Sequence, residues 1–96
     1  MRRSNTQTLG EVIREYLKTL DIENKLNEVR LIDSWPEIVG TVLAKRTSRL
    51  NIKNRVLFVS TLSSVVRSEL LLIRQGLVKA LNEKAGASVI DEIVFR

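Results

Sequence analysis

The first periodic stretch of the chain predicts an amphipathic helix. Its apolar residues recur at steps of three and four, the spacing of one helix face: Leu9, Val12, Ile13, Tyr16, Leu17 and Leu20. Thr8 and Glu11 match a capping box, in which each side chain accepts a hydrogen bond from the other residue's backbone amide. We expect this helix to bury its apolar face in the core and to expose a mixed-charge face.

A second helix is predicted from about residue 24 to residue 33, with Leu26, Val29 and Ile32 buried. It should end at Trp35-Pro36, because a residue before proline is disfavoured in the α region. Pro36 then begins a further short helix. We interpret Trp35 as a core anchor.

The period then changes to two, which predicts a β-hairpin. Leu50 and Ile52 alternate with polar residues, and residues 55–61 are rich in strand-forming side chains. A tight turn at Lys53-Asn54 would place Leu50 opposite Leu57 on the core face. The same register places Ser48 opposite Val59 on that face, and Arg49 opposite Phe58 on the other.

A long helix and a last strand complete the prediction. The helix should begin at Ser63 or Ser64, run to about Lys84 and stop at Gly86, with a core stripe of Val66, Leu70, Ile73, Leu77, Ala80 and Leu81. Residues 88–96 have the pattern of a strand. The order helix, helix, strand, strand, helix, strand predicts a small α+β domain, a three-stranded sheet covered by helices on one face.

Length and composition indicate one globular domain. The 96 residues are 44% hydrophobic and 28% charged, which is atypical of a disordered chain. We expect a flexible N-terminus at residues 1–7 and a single domain at residues 8–96. The longest apolar run, Leu70 to Ile73, is too short to cross a bilayer. We therefore expect a cytoplasmic protein without a membrane partner.

The residue types argue against catalysis. The chain has no Cys and no His, which removes thiolate chemistry and the commonest metal ligand. Its four glycines form no phosphate-binding loop. Glycine is unfavourable inside a helix, so the presence of Gly40 in the predicted short helix needs a reason. We expect that another helix crosses closely at this position. We expect no enzymatic activity, no cofactor and no metal.

Positive charge is concentrated in one third of the chain. The segment from Lys45 to Lys79 has eight basic residues and one acidic residue, a net charge of +7, whereas the remainder has a net charge of −2. Such asymmetry indicates a surface for a polyanion or an acidic partner. The candidates for contacting a phosphate backbone are Lys45, Arg46, Arg49, Lys53, Arg55, Arg67 and Arg74.

The placement of these candidates leaves three interpretations open, of which contact with a phosphate backbone is the first. Arg67 and Arg74 would lie two turns, about 10 Å, apart on the predicted long helix, and Phe58 would offer a stacking surface beside Arg49. Alternatively, the basic residues keep a sheet edge soluble. The apolar side chains of Leu71 and Val78, beside these two arginines, could also receive a partner protein.

Five blocks of the sequence resemble successive blocks of the DciA family of bacterial proteins. They are Leu9-Gly10-Glu11-Val12-Ile13, Trp35-Pro36-Glu37-Ile38-Val39-Gly40, Val56-Leu57-Phe58-Val59, Ser63-Ser64-Val65-Val66-Arg67-Ser68-Glu69-Leu70, and Val89 through Arg96. The resemblance implies a KH-like domain that binds DNA, interacts with the DnaB-type replicative helicase and favours its loading on single strands. The chain lacks a Gly-x-x-Gly loop, so the backbone clamp of classical KH domains is not expected.

The resulting hypothesis is a non-enzymatic accessory protein of DNA replication. Its expected partners are single-stranded or tailed DNA and, by resemblance, the replicative helicase. Two alternatives remain at this point: a KH-like RNA-binding protein, and a protein-interaction adaptor with a basic docking face.

Overall fold

The computed structural model describes residues 7–96, so residues 1–6 of the predicted flexible N-terminus lie outside the described part. The elements, in chain order, are α1 (Leu9–Asp33), α2 (Trp35–Val39), α3 (Thr41–Lys45), β1 (Thr47–Lys53), β2 (Val56–Thr61), α4 (Ser64–Leu72), α5 (Arg74–Ala85) and β3 (Glu92–Phe95). The strands form one sheet in the order β1-β2-β3, with β1 and β2 antiparallel and β2 and β3 parallel. The predicted fold class, α+β with helices on one face of a three-stranded sheet, is confirmed.

The core lies between this sheet and the helices. Leu57, Val59 and Ile93 contribute fully buried side chains from the strands, and Leu70 and Leu81 contribute them from α4 and α5. The apolar alternation of the strands and the three-to-four spacing of the helices therefore point inward at the same place. Within the described part of the chain, no helix is both long and apolar enough to span a membrane.

The first helix differs most from the prediction. A single helix, α1, covers both predicted helices, and Leu26 and Val29 are about half exposed instead of buried. The sequence has no Gly or Pro between Gly10 and Pro36 that would interrupt the helix. An i,i+4 ion pair also joins Asp21 to Lys25, where the two predicted helices were expected to be separate. The apolar face of the first half is also exposed, contrary to expectation, with Leu9 at 76% and Tyr16 at 63%. The predicted Thr8–Glu11 capping box is present.

Trp35 is a core anchor, as predicted. It is 2% exposed, and its indole Nε1 donates to the Thr47 hydroxyl at 3.1 Å, which itself donates to the Ala44 carbonyl at 2.8 Å. This chain of bonds fixes α2 and α3 to the beginning of β1. Gly40 separates α2 from α3 with φ +91° and ψ 155°, and a Cβ built there would meet no atom within 4 Å. The positive φ explains this glycine, so the predicted close helix crossing is wrong.

From Arg49 onward the hairpin has the predicted faces but another register. Leu50 pairs with Val59 and Ile52 pairs with Leu57, a shift of two residues that keeps both side chains toward the core. The prediction for Ser48 is wrong: it has no partner in the ladder, because the pairing is irregular between Thr47 and Arg49, and its side chain is exposed. The turn consists of Asn54 and Arg55, both with positive φ (52° and 65°), as in a type I′ turn. Because the turn lies one residue later than predicted, every pair moves by two.

The predicted long helix is two helices. Ser63 caps α4 by accepting from the Val66 amide, and Gly86 ends α5 in the left-handed conformation, as expected. Between them Ile73 leaves the helical region (φ −112°, ψ 15°) and is 46% exposed, so it is not part of the core stripe. The bend lets α4 pack on β2 and β3 while α5 packs against α1 and α2.

Asn82 holds the connection from α5 to β3 from the helix side. Asn82 Oδ1 accepts from the amides of Val89 and Ile90 at 2.9 and 3.0 Å, and its Nδ2 donates to the Ile90 carbonyl at 2.9 Å. These bonds satisfy backbone groups of two buried residues. They position β3 beside β2.

Candidate nucleic-acid interface

One face of the sheet is packed on the helices and the other is open to solvent. The strands alternate, so the residues between the core positions point outward. None of these outward residues is buried. We call this set the open face: Arg49, Asn51, Lys53, Val56, Phe58, Ser60, Glu92, Val94 and Arg96.

The strand registers arrange the open face in three rows. Asn51, Phe58 and Val94 form the middle row, and Lys53, Val56 and Glu92 form the row nearest the hairpin turn. The remaining row contains Arg49 and Ser60, which are paired, and Arg96. The Arg96 amide donates to the Val59 carbonyl, and its carbonyl accepts from the Thr61 amide, both at 2.8 Å, so the parallel ladder extends to Arg96.

Two arginines therefore flank the central strand at the same level. Adjacent strands lie about 4.8 Å apart, so the backbones of Arg49 and Arg96 are separated by roughly 10 Å. Both side chains are exposed. This is an arrangement that can contact successive groups of an extended polyanion.

An aromatic ring lies beside this basic row. The guanidinium carbon of Arg96 is 4.5 Å from the centroid of the half-buried Phe58 ring, a cation–π contact. Aromatic rings and guanidinium planes are the groups on which unpaired bases stack. The open face thus combines a stacking surface with flanking positive charge.

Lys45 and Arg46 extend the basic row beyond the sheet. Both are exposed at the end of α3. The Arg46 carbonyl accepts from the Leu62 amide at 3.0 Å, which places this residue next to the end of β2. That end of the sheet is also where Arg49 and Arg96 lie.

Arg55 has a different environment from the other candidates. Its guanidinium forms a bidentate ion pair with Asp91, both bonds at 2.9 Å, and donates to the Ser88 carbonyl and hydroxyl, also at 2.9 Å. The Asp91 amide donates to the Arg55 carbonyl at 2.8 Å. These contacts tie the hairpin turn to the loop before β3.

The ion pair shifts the pKa of both side chains. The side-chain hydrogen bond from Arg55 lowers the pKa of Asp91 below its ordinary value of 3.8, and the same bond raises the pKa of Arg55. Each charged form is therefore favoured by the other. Of the seven basic candidates, Arg55 alone has an ion-pair partner among residues 7–96.

Arg67 and Arg74 lie in the helical layer, on the other side of the core from the open face. Arg67 is in α4 and Arg74 begins α5, and both are exposed. The sequence had predicted both arginines on one face of a single long helix. Because the chain bends at Ile73, they belong to two helices and do not share one face. The structure therefore brings Lys45, Arg46, Arg49 and Lys53 to the sheet and leaves Arg67 and Arg74 apart from them.

Sequence reasoning missed Arg96. Its signal was the alternation at the end of the chain, because an inward Phe95 makes Arg96 point to the Phe58 side. That signal needed the strand order, which places β3 next to β2. Within residues 7–96 no group of three or more His, Cys, Asp or Glu side chains could hold a metal ion.

Comparison with known proteins identifies the family. Residues 8–95 match the family model described as "Dna[CI] antecedent, DciA". This covers nearly the whole chain, so the protein belongs to the DciA family, as its sequence blocks predicted. Neither the curated proteins nor the solved structures include a significant match to the chain.

Proposed function

We propose that this protein is a non-enzymatic accessory factor of DNA replication that binds single-stranded DNA through the open face and acts with the replicative helicase. Membership of the DciA family supports an accessory role of the helicase-loader type. The observation that carries the DNA-binding part is the row of Arg49 and Arg96 beside the Phe58 ring.

The arrangement favours a single strand over a duplex. A ring on the surface of a sheet can stack only with a base that is free of its neighbours and its complement. The Arg96 guanidinium lies over the Phe58 ring, so a stacking base would take its place there. Arg96 would then bind phosphates on one side of that base, together with Arg49, Arg46 and Lys45. Lys53 would bind the backbone at the hairpin end, where it shares a row with Glu92.

Arg55 has a structural part in this proposal. Its guanidinium already donates four hydrogen bonds within the protein, and Asp91 compensates its charge. It holds the hairpin in position, whereas the unpaired basic side chains of the open face contact DNA.

Paired charge reversals test the location of the DNA site. The double variant Arg49→Glu/Arg96→Glu should weaken binding of a labelled single strand by at least about tenfold. The double variant Arg67→Glu/Arg74→Glu changes net charge equally but in the helical layer, and it should cause a clearly smaller loss. Fluorescence anisotropy at low salt, with circular dichroism to confirm folding, measures both. Equal losses would indicate a diffuse charge effect and would contradict an open-face site.

The same titrations separate the alternative functions. Single-stranded, tailed and duplex DNA and RNA of matched length form one series, and a pull-down with purified DnaB-type helicase forms another. Preference for single-stranded or tailed DNA together with helicase retention supports the proposal. Preference for RNA would favour the KH-like RNA binder, and helicase retention without nucleic-acid binding would favour the adaptor.

A further inference from the structure

The N-terminal half of α1 projects from the rest of the protein, and its apolar face is uncovered. We call residues 27–96 the body. Every residue from Leu9 to Leu26 is exposed, and burial begins at Asn27. We call the apolar residues of this part the apolar stripe: Leu9, Val12, Ile13, Tyr16, Leu17 and Leu20. They are between 36% and 76% exposed.

Such a helix is a poor candidate for independent stability. Most helices in proteins derive their stability from packing of an amphipathic face and not from helix propensity alone. This one contains Gly10 and the β-branched Val12, Ile13 and Thr19, which lower helix propensity. A contact with the apolar stripe would supply the missing stabilisation.

The stripe is apolar across its width and has a defined direction. At about 100° per residue its six members span an arc of roughly 140°, and no charged side chain between Leu9 and Leu20 falls within that arc. Leu31, which is 0% exposed, lies within about 40° of Leu9 around the helix. The stripe therefore faces the side of α1 on which the body is packed.

We propose that the apolar stripe binds the same stripe of a second copy, forming an antiparallel helix pair. A two-fold axis between Arg14 and Glu15 places Leu9 opposite Leu20, Val12 opposite Leu17, and Ile13 opposite Tyr16. Every member of the stripe then meets an apolar partner. A symmetric dimer requires this kind of self-complementary surface.

The position of the body selects the antiparallel direction. In a parallel pair the two bodies would lie at the same height and on the facing sides of the helices, where they would collide. In the antiparallel pair the second copy's Leu9 is level with Leu20, seven residues before the body begins at Asn27. This leaves about 10 Å along the axis.

Area agrees with the pairing, and no charge opposes it from within the stripe. The charged side chains between Leu9 and Leu20 all lie outside the arc of the stripe, so the pair buries none of them. The stripe offers on the order of 500 Å² per copy, or about 1,000 Å² in the pair, near the lower limit for a specific interface. A reversible dimer follows from this area.

Sedimentation of the full chain across a range of concentrations tests the pairing. The mass should rise from the monomer value of 10.9 kDa toward twice that value. Ile13→Glu should weaken association at least tenfold. Ile22→Glu is the matched control, because Ile22 is 60% exposed and lies about 180° from Ile13 on the same helix. It should associate like the wild type.

Cysteine cross-linking tests the direction. The chain contains no cysteine, so introduced thiols report without background. An equimolar mixture of Leu9→Cys and Leu20→Cys should form a mixed disulfide-linked dimer. Leu9→Cys alone should not, because the antiparallel pair holds the two copies of residue 9 about 16 Å apart, beyond the reach of a disulfide.

Three results would overturn the inference. The first is a wild-type chain that stays monomeric up to about 1 mM, which would leave the stripe for a different protein. The second is equal weakening by Ile13→Glu and Ile22→Glu. The third is preferential cross-linking of Leu9→Cys with itself, which would show a parallel arrangement.

Discussion

Phe58 is the aromatic side chain of the open face, and its ring is in contact with the guanidinium of Arg96. If a base stacks there, Phe58→Ala should weaken single-stranded DNA binding by about 1–3 kcal/mol, or roughly 5- to 150-fold. Phe58→Tyr keeps a π-face and should bind nearly like the wild type. Anisotropy with a short oligonucleotide measures the affinities.

Val94→Ala is the control for this prediction, because Val94 is the neighbour of Phe58 in the same row. It removes apolar surface without removing a ring, so its effect on affinity should be small. A loss for Val94→Ala as large as that for Phe58→Ala would mean that general packing of the open face, and not base stacking, determines binding.

The Arg55–Asp91 pair predicts a specific pH dependence of stability. Because its pKa in the folded protein is below 3.8, Asp91 contributes stability above pH 3.8, and the contribution disappears as the pH falls through the lower folded value. Asp91→Asn should therefore lower the melting temperature at pH 7. Its difference from the wild type should shrink in acid below about pH 3.8.

The neighbouring Glu92→Gln is the comparison, because Glu92 forms no ion pair within residues 7–96. Thermal unfolding monitored by circular dichroism from pH 7 to pH 2.5 provides the data. A wild-type advantage over Asp91→Asn that persists unchanged in acid would show that the ion pair is not its cause.

Residue-level expectations succeeded where the contact is local in sequence. The Thr8–Glu11 box, the Ser63 cap and the Gly86 stop involve partners within four residues, so residue type and spacing define them. The contact between Arg55 and Asp91 joins residues 36 positions apart. This contact exists only because the fold brings the hairpin turn next to the loop before β3. From the sequence alone, Arg55 and Asp91 could not be recognised as a pair.

At the scale of elements, Gly40 determines how α2 joins α3. Its φ of +91° with ψ 155° is a conformation that side chains other than glycine avoid. Gly40→Ala should therefore destabilise the protein by about 1–3 kcal/mol, measured by chemical denaturation.

Gly76→Ala is the matched control. Gly76 lies in α5 in the ordinary helical region, and a Cβ there would also meet no atom within 4 Å. This replacement should stabilise by about 0.5–1 kcal/mol, because alanine is the better helix former. Destabilisation by both variants would mean that space, not φ, limits these positions.

The elements also show what a hydrophobic pattern can and cannot predict. From Arg49 onward alternation identified the core faces of β1 and β2 correctly, because a shift of two residues leaves each face unchanged. It failed at Ser48, where an irregularity in the pairing interrupts the period of two. It could not define the register, which depends on whether the turn is Lys53-Asn54 or Asn54-Arg55. In α1 the spacing predicted an apolar face correctly, but a spacing does not say whether the cover comes from the same chain.

At the scale of the whole molecule, shape and charge are both asymmetric. The protein measures 63 × 20 × 20 Å with a radius of gyration of 17.9 Å, whereas a compact domain of this length has about 12.5 Å. The projecting helix α1 has six acidic and four basic side chains, a net charge of −2, although the chain as a whole carries +5. The positive potential is therefore concentrated on the body.

This separation leads to a prediction for the salt dependence of DNA binding. Five basic residues, Lys45, Arg46, Arg49, Lys53 and Arg96, lie on or beside the open face. If all five bind phosphates of a single strand, the logarithm of the binding constant should fall against the logarithm of salt concentration with a slope of about −3.5. Anisotropy titrations over a tenfold range of salt measure this slope.

The salt slopes of two double variants show which pair of arginines contacts the DNA. Replacing Arg49 and Arg96 by Gln removes two phosphate contacts and should change the slope to about −2. Replacing Arg67 and Arg74 by Gln removes equal charge from the helical layer and should leave the slope near its wild-type value. Since net charge is the same in both variants, a difference in slope can come only from which arginines release counterions at the DNA. An equal change in both would assign binding to the field of the whole body, and the open face would lose its special role.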